Sequence, residues 1–242
     1  MADRDTPEPQ GPGGDRRAGR AWREVARRLE RGDTYVAVLV LLVVTYFLVS
    51  LLPDATWSRV IQEAAVGFVL LITLRTSHAR PRLQRVARVG VVAGLVLTLI
   101  GSVVGSTLAL VHLVFFLLLL VAPFVILNRI LRHPNVNIET IAGAIDVYVI
   151  LGLIFSSLYR SIASIAGIPF FVQTNHASPN QFLYFSFATL TTVGYGDLTA
   201  ATDVGRSIVV IEALIGQIFL VTLVARLVSL MARPGGPRPQ EQ

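Results

Sequence analysis

The 242 residues are 53% hydrophobic and 15% charged, with a mean hydropathy of +0.65, too apolar and charge-poor for a soluble domain and too apolar for a disordered chain. With no cysteine, disulfides, thiolate metal sites and a cysteine nucleophile are excluded. The net charge of +6 comes from 21 basic residues, all arginine, set in blocks between apolar runs, which is a membrane-protein pattern rather than a nucleic-acid-binding one. The lack of lysine reads as the codon bias of a GC-rich genome and suggests a bacterial source.

Residues 1–33 are rich in Pro, Gly and Arg, and Met1 to Gly14 is expected to be disordered. From Asp15 onward, Trp22, Val25, Ala26 and Leu29 recur at helical spacing among Arg16, Arg17, Arg20, Arg23, Arg27, Arg28 and Arg31. An amphipathic helix on an anionic membrane face and a solvated basic helix both fit that pattern. No signal peptide is visible, since the first apolar run is longer than an h-region. That run, Tyr35 to Leu52, holds 18 residues without a charge, enough for one span. Pro53 and Asp54 end it. A weaker second run, Val60 to Leu74, carries Glu63 and crosses if its helix begins near Ala55. An arginine-rich loop follows, with Arg75, Arg80, Arg82, Arg85 and Arg88.

Val89 to Asn128 contains 40 residues and no Asp, Glu, Arg or Lys. One helix of that length would measure roughly 60 Å, twice the hydrocarbon core. Two spans are therefore predicted, with the turn at Gly101–Ser106. Arg129, Arg132, His133 and Pro134 close the fourth. A fifth span is expected from Ile138 to Leu158 with Asp146 inside it, and a last from Ser207 to Ala225 with Glu212 inside it. Ser161 to Arg206, between them, is less apolar.

With the N-terminus in the cytoplasm and six alternating spans, 18 arginines fall inside and three, Arg59, Arg160 and Arg206, fall outside. The positive-inside rule supports that orientation, with both termini cytoplasmic. Residues 161–206 then lie outside and can re-enter the membrane from there. Four segments follow: a cytoplasmic segment over 1–33, a four-helix transmembrane domain over 34–130, a pore domain over 131–231 and a short cytoplasmic tail over 232–242.

Within the outer stretch lies Phe182-Leu-Tyr-Phe-Ser-Phe-Ala-Thr-Leu190, apolar but too short to span, and then Thr191-Thr192-Val193-Gly194-Tyr195-Gly196-Asp197. Pro179 and Asn180 can begin a short helix there. The two glycines weaken any helix after it. Non-helical backbone at membrane depth is tolerated only where it is buried in protein or lines a water-filled path. A ring of four such segments satisfies this if their carbonyl oxygens face a common axis and replace a cation's hydration shell. Aligning successive carbonyls needs alternating backbone handedness, and Gly194 and Gly196 adopt positive φ without steric cost. Val193 and Tyr195 would pack behind, and Thr192 would add its hydroxyl at the inner end.

Thr192-Val193-Gly194-Tyr195-Gly196, with Thr191 before it and Asp197 after it, resembles the selectivity filter of potassium channels, which are tetrameric P-loop cation channels. The resemblance covers roughly residues 138–231. It implies an all-α membrane fold of six transmembrane helices, with a re-entrant pore helix and filter between the fifth and sixth, assembled as a homotetramer. It also implies potassium as the permeant ligand at Thr192, Val193, Gly194 and Tyr195, and no other cofactor. The family's pore helix carries a tryptophan pair, and here Tyr184 and Phe185 occupy those positions. Tyr184 keeps a donor for Asp197, whereas Phe185 has none for the filter tyrosine. Thr189 stands where some relatives place a hydroxyl, and Ala188 where some bacterial members carry a glutamate. These departures bear on filter stability, not on ion preference. Gly216 falls where the inner helix often bends, so it is either a hinge or a close-packing glycine.

Six spans with a pore after the fifth also resembles the voltage-gated plan, but the fourth span, about Thr107 to Leu127, has no arginine to move in the field. Arg129 and Arg132 are expected beyond it, in the inner linker. Asp146, Glu212 and Glu63 are ionisable groups at membrane depth, each serving either a structural pair or gating. Arg129 or Arg226 is the expected partner of Asp146, and Glu212 is expected behind the pore helix. His112 reads as a satisfied buried group, His176 as a solvated loop histidine and Glu139 as an acid at a helix start. The expected function is passive potassium conduction across a bacterial plasma membrane without voltage gating. The alternative is a non-conducting subunit that assembles with other pore-forming chains. Lipid is the expected partner, with anionic lipids at the arginine-rich segments. No enzymatic pattern is present, and no nucleic-acid partner is expected.

Overall fold

The computed structural model describes residues 34–53, 55–77, 79–104, 109–132 and 138–231. The expectations for the basic N-terminal segment, the later part of the 101–106 turn, His133, Pro134 and the tail lie outside these residues. Among them the chain is all-helical: α1 (Thr34–Leu51), α2 (Thr56–Thr76), α3 (Pro81–Val104), α4 (Ala109–Arg132), α5 (Ile138–Ala166), α6 (Pro179–Leu190) and α7 (Asp203–Met231). In lipid every backbone polar group must be satisfied within its own segment, so long apolar runs become helices. Five of these helices are long and apolar enough to cross a membrane; α1, apolar over Tyr35–Leu51, is shorter.

Helix boundaries depart from the sequence expectation in α7, which spans Asp203–Met231 rather than Ser207–Ala225 and so takes in Arg206, and in four other places. First, α3 begins at Pro81, so Arg82, Arg85 and Arg88 lie on its opening turns rather than in a loop. Proline suits the first helical position because the amide it lacks would have had no partner there, and long arginine side chains reach out of the apolar layer. Second, α3 continues through Gly101 to Val104, past the start of the expected turn. Third, α4 runs to Arg132, so Arg129 and Arg132 belong to its last turns rather than to a linker. Fourth, α5 extends eight residues past Leu158 and stops where Gly167 takes a left-handed φ of +66°, a common helix terminator.

A single apolar core joins the first four helices to the pore-side helices of the same chain. It includes Val38 and Leu42 of α1, Leu70 of α2, Leu119 and Ile126 of α4, Ile150 and Leu153 of α5, and Leu183 of α6. Two further contacts tie α1 to α6. The Tyr46 ring meets Phe187 edge-on at 5.2 Å, and Asn180 Nδ2 donates to the Ser50 carbonyl at 3.2 Å.

One ion pair in the bundle joins two helices. Arg160 of α5 meets Glu63 of α2 at 3.1 Å, and the same Nη2 lies 2.8 Å from His112 Nε2 of α4. Arginine only donates, so Nε2 accepts and the His112 proton sits on Nδ1, 3.4 Å from Ser164 Oγ. Glu63 and His112 thus have structural partners. Arg160, expected in an outer loop, is held in a helix by a partner 97 positions away in sequence.

Candidate functional site

The short helix α6 is fixed at its start by a capping box. Ser178 Oγ accepts from the Gln181 amide at 3.2 Å, and Gln181 Oε1 accepts from the Ser178 amide at 2.8 Å. The signal was in the sequence as Ser-x-x-Gln ahead of an apolar run. Pro179 occupies the first turn, as expected. The buried face of α6 packs into an aromatic cluster in which Phe182 and Phe185 meet Phe170, Phe171 and Tyr159. Phe185 therefore supports α6 by apolar packing against the outer helix.

The last carbonyls of α6 are answered by the segment that follows it. The Thr191 amide and hydroxyl both donate to Phe187 O, at 3.0 and 2.7 Å. The Thr192 amide donates to Thr189 O at 2.9 Å, and the Val193 and Gly194 amides share Ala188 O at 3.0 and 3.1 Å. These amides turn back toward the helix. Among the described residues no group donates to a carbonyl of Thr192 to Gly196.

Backbone handedness alternates through this stretch, as expected from its glycines. Gly194 has φ +51° and Gly196 +79°, while Val193 and Tyr195 are not left-handed. The sequence did not signal the third left-handed residue, Thr192, at φ +59°. A β-branched residue there costs of order 1–3 kcal/mol, so the surrounding bonds must hold it. Thr191 through Asp197 are exposed in the isolated chain, with Val193 at 52% and Tyr195 at 71%. Tyr184 does what its position implied: its hydroxyl donates to Asp197 Oδ2 at 2.9 Å, and its ring stacks on Tyr195, 6.2 Å between centroids.

Beyond the segment, the chain pairs with the loop before α6. Val172 and Ala201 donate to Thr199 O and Phe170 O at 3.0 and 2.8 Å, and the Gln173 side chain bonds Thr199 twice. Arg206 Nε donates to Ala200 O at 3.1 Å.

Behind α6, Glu212 of α7 is fully buried. Tyr159 OH donates to its Oε2 at 2.5 Å, and Ser186 Oγ lies 2.5 Å from its Oε1 and 2.8 Å from Gly152 O. Glu212 thus lies behind α6; its partners Tyr159 and Ser186, and the Gly152 carbonyl that Ser186 also meets, had no sequence signal. Tyr148 of α5, also unforeseen, donates to Leu190 O at 2.9 Å. Gly216 presses on the same residue: α7 runs unbroken through it, and a Cβ there would collide with the Leu190 carbonyl oxygen. Its close-packing role is thus on view. Asp146 is buried in α5, but neither carboxylate oxygen has a hydrogen-bond partner among the described residues. The expected bond to Arg226 is therefore not formed, and the Arg129 side chain lies outside the described atoms. Glu139 sits in the first turn of α5, and His176 is exposed. Among the described residues, no cluster of acids and histidines could hold a metal ion in the usual way.

The model of a family described as "Ion channel" matches residues 144–233, which take in α6, the segment after it and all of α7. Those residues are similar in sequence to an ion-channel domain. A curated relative, Two-pore potassium channel 4 of Arabidopsis thaliana, is 28% identical over 113 residues, 43% of this chain. The match spans 40% of the relative's length.

Proposed function

We propose that four copies of this chain surround one axis as a potassium-selective channel, each contributing Thr192 to Gly196 to a shared filter. The observation that carries this reading is the row of carbonyls at Thr192 to Gly196, left without donors while the neighbouring amides turn toward α6. Oxygens so placed stand in for the water around a dehydrated cation once a ring of copies brings them together. The exposed side chains of Val193 and Tyr195 call for cover. So does α7, which exposes Val210, Ile211, Leu214, Ile218 and Val221. Neighbouring copies supply it.

In this reading α1 to α5 and α7 are six spans and α6 with the filter is the re-entrant pore segment. Both termini face the cytoplasm, in keeping with the arginine distribution. Potassium moves passively and no bond is made or broken. Tyr184, Phe185, Thr189, Thr191 and Asp197 support the filter, and Gly216, Glu212 and Asp146 are the positions at which gating strain would be felt.

Flux from the purified chain in liposomes tests the proposal. Potassium is expected to pass far faster than sodium, with barium blocking. Gly194→Ser and Tyr195→Val are expected to reduce that preference in the same assay. Equal sodium and potassium passage in the unaltered protein overturns the filter. Absence of flux from the chain alone, restored by a second channel chain, favours a non-conducting subunit instead.

A further inference from the structure

A cavity of about 620 Å³ opens between α2, α4, α5 and the loop before α6. It lies at the end of the molecule where the filter segment exits, because its wall residue Phe170 is paired with Ala201. Its ionisable lining is basic in kind, the guanidinium groups of Arg59 and Arg160 beside the imidazoles of His112, neutral in its bond to Arg160, and His176, with no aspartate or glutamate among the described residues that line it. Glu63, the one acid engaged with this group, sits behind Arg160 and faces a different, smaller cavity. Both contacts of Arg160, to Glu63 and to His112, use Nη2, so its other nitrogens are not taken by them. Arg59 is exposed at the mouth. The start of α6, at Ser178 and Pro179, forms part of the wall, and the positive end of a helix adds to the same field.

The remaining wall is apolar, with Ile168, Phe170 and Phe182. Low-dielectric walls lined by one sign of charge focus field lines and concentrate the opposite ion. Guanidinium groups match the oxygens of a phosphate in paired geometry. We propose that this cavity is a binding site for a phosphate-bearing anion, held by Arg59 and Arg160 with His176 at the rim. The phosphate comes either from a lipid headgroup, whose chains would lie along the exposed Ile165 and Ile168, or from free phosphate.

The full chain purified in detergent separates these sources. Native mass spectrometry reads retained phosphatidylglycerol against uncharged diacylglycerol, and calorimetry reads inorganic phosphate. Preferential retention of phosphatidylglycerol supports the headgroup; heat from inorganic phosphate supports the free anion. In the Arg59→Gln, His176→Gln double variant, at two exposed positions, binding is expected to fall at least tenfold with assembly and melting temperature unchanged. Arg59→Lys is expected to keep most of it. The proposal is overturned if the unaltered chain binds neither probe, retains diacylglycerol equally, or loses nothing in the double variant.

Discussion

The single hydroxyl proton of Ser186 faces two oxygen neighbours, Gly152 O and Glu212 Oε1, and can be given to only one. Tyr159 spends its own proton on Glu212 Oε2. A donor at the Glu212 position would complete the set, passing a hydrogen to Ser186 and freeing Ser186 for Gly152. Glu212→Gln supplies that donor and keeps an oxygen for Tyr159. Its melting temperature and potassium flux are expected to stay close to the original. Glu212→Ala instead strands the buried Tyr159 hydroxyl, at about 1–3 kcal/mol, leaves Ser186 with Gly152 O alone, and opens a void behind α6. Thermal unfolding of the two variants side by side checks this. A glutamine variant as unstable as the alanine one would show that the carboxylate charge, not the bonding pattern, holds α6.

At the scale of the element, α6 has 12 residues, too few for a stable helix in isolation, so its ends and faces must be secured from outside. The box between Ser178 and Gln181 secures the start. Ser178→Ala is expected to cost about 1 kcal/mol, read as a fall in melting temperature, while Ser178→Thr, which retains the oxygen, recovers most of it. Failure of threonine to recover any stability would remove the cap as the cause. Such local devices are legible because they need only nearby residues: the glycines that take positive φ at 194 and 196, apolar runs whose length alone marks a helix in lipid, and the Ser-x-x-Gln box, whose signal stands in the sequence but is missed when the helix start is read from Pro179. Residues held by distant partners were not legible. The end of α5 was misread because Arg160 finds Glu63 across the bundle, and the left-handed Thr192 was invisible because its strain is borne by bonds to α6. The partners of Glu212, Tyr159 of α5 and Ser186 of α6, were hidden for the same reason.

The whole molecule places four helices against its own pore-side helices through a shared core, with α1 touching α6 directly. Movement of those helices would therefore reach α6 within the same chain. Membrane voltage is not expected to be the force that moves them. One elementary charge crossing the full field is worth about 2.3 kcal/mol per 100 mV, which would change an open-to-closed ratio about fiftyfold. The apolar stretch Val111–Asn128 of α4 carries no arginine, and the two at the helix end, Arg129 and Arg132, lie beyond it. Glu63 of α2 is held in an ion pair by Arg160 of α5, and the other buried acids, Asp146 and Glu212, lie on α5 and α7, outside the first four helices. In planar-bilayer recordings of the purified chain, open probability is expected to vary by well under that fiftyfold per 100 mV, and Arg129→Gln with Arg132→Gln should leave the curve in place. A steep curve that flattens in this double variant would instead make the end of α4 a moving charge, despite its position outside the apolar layer.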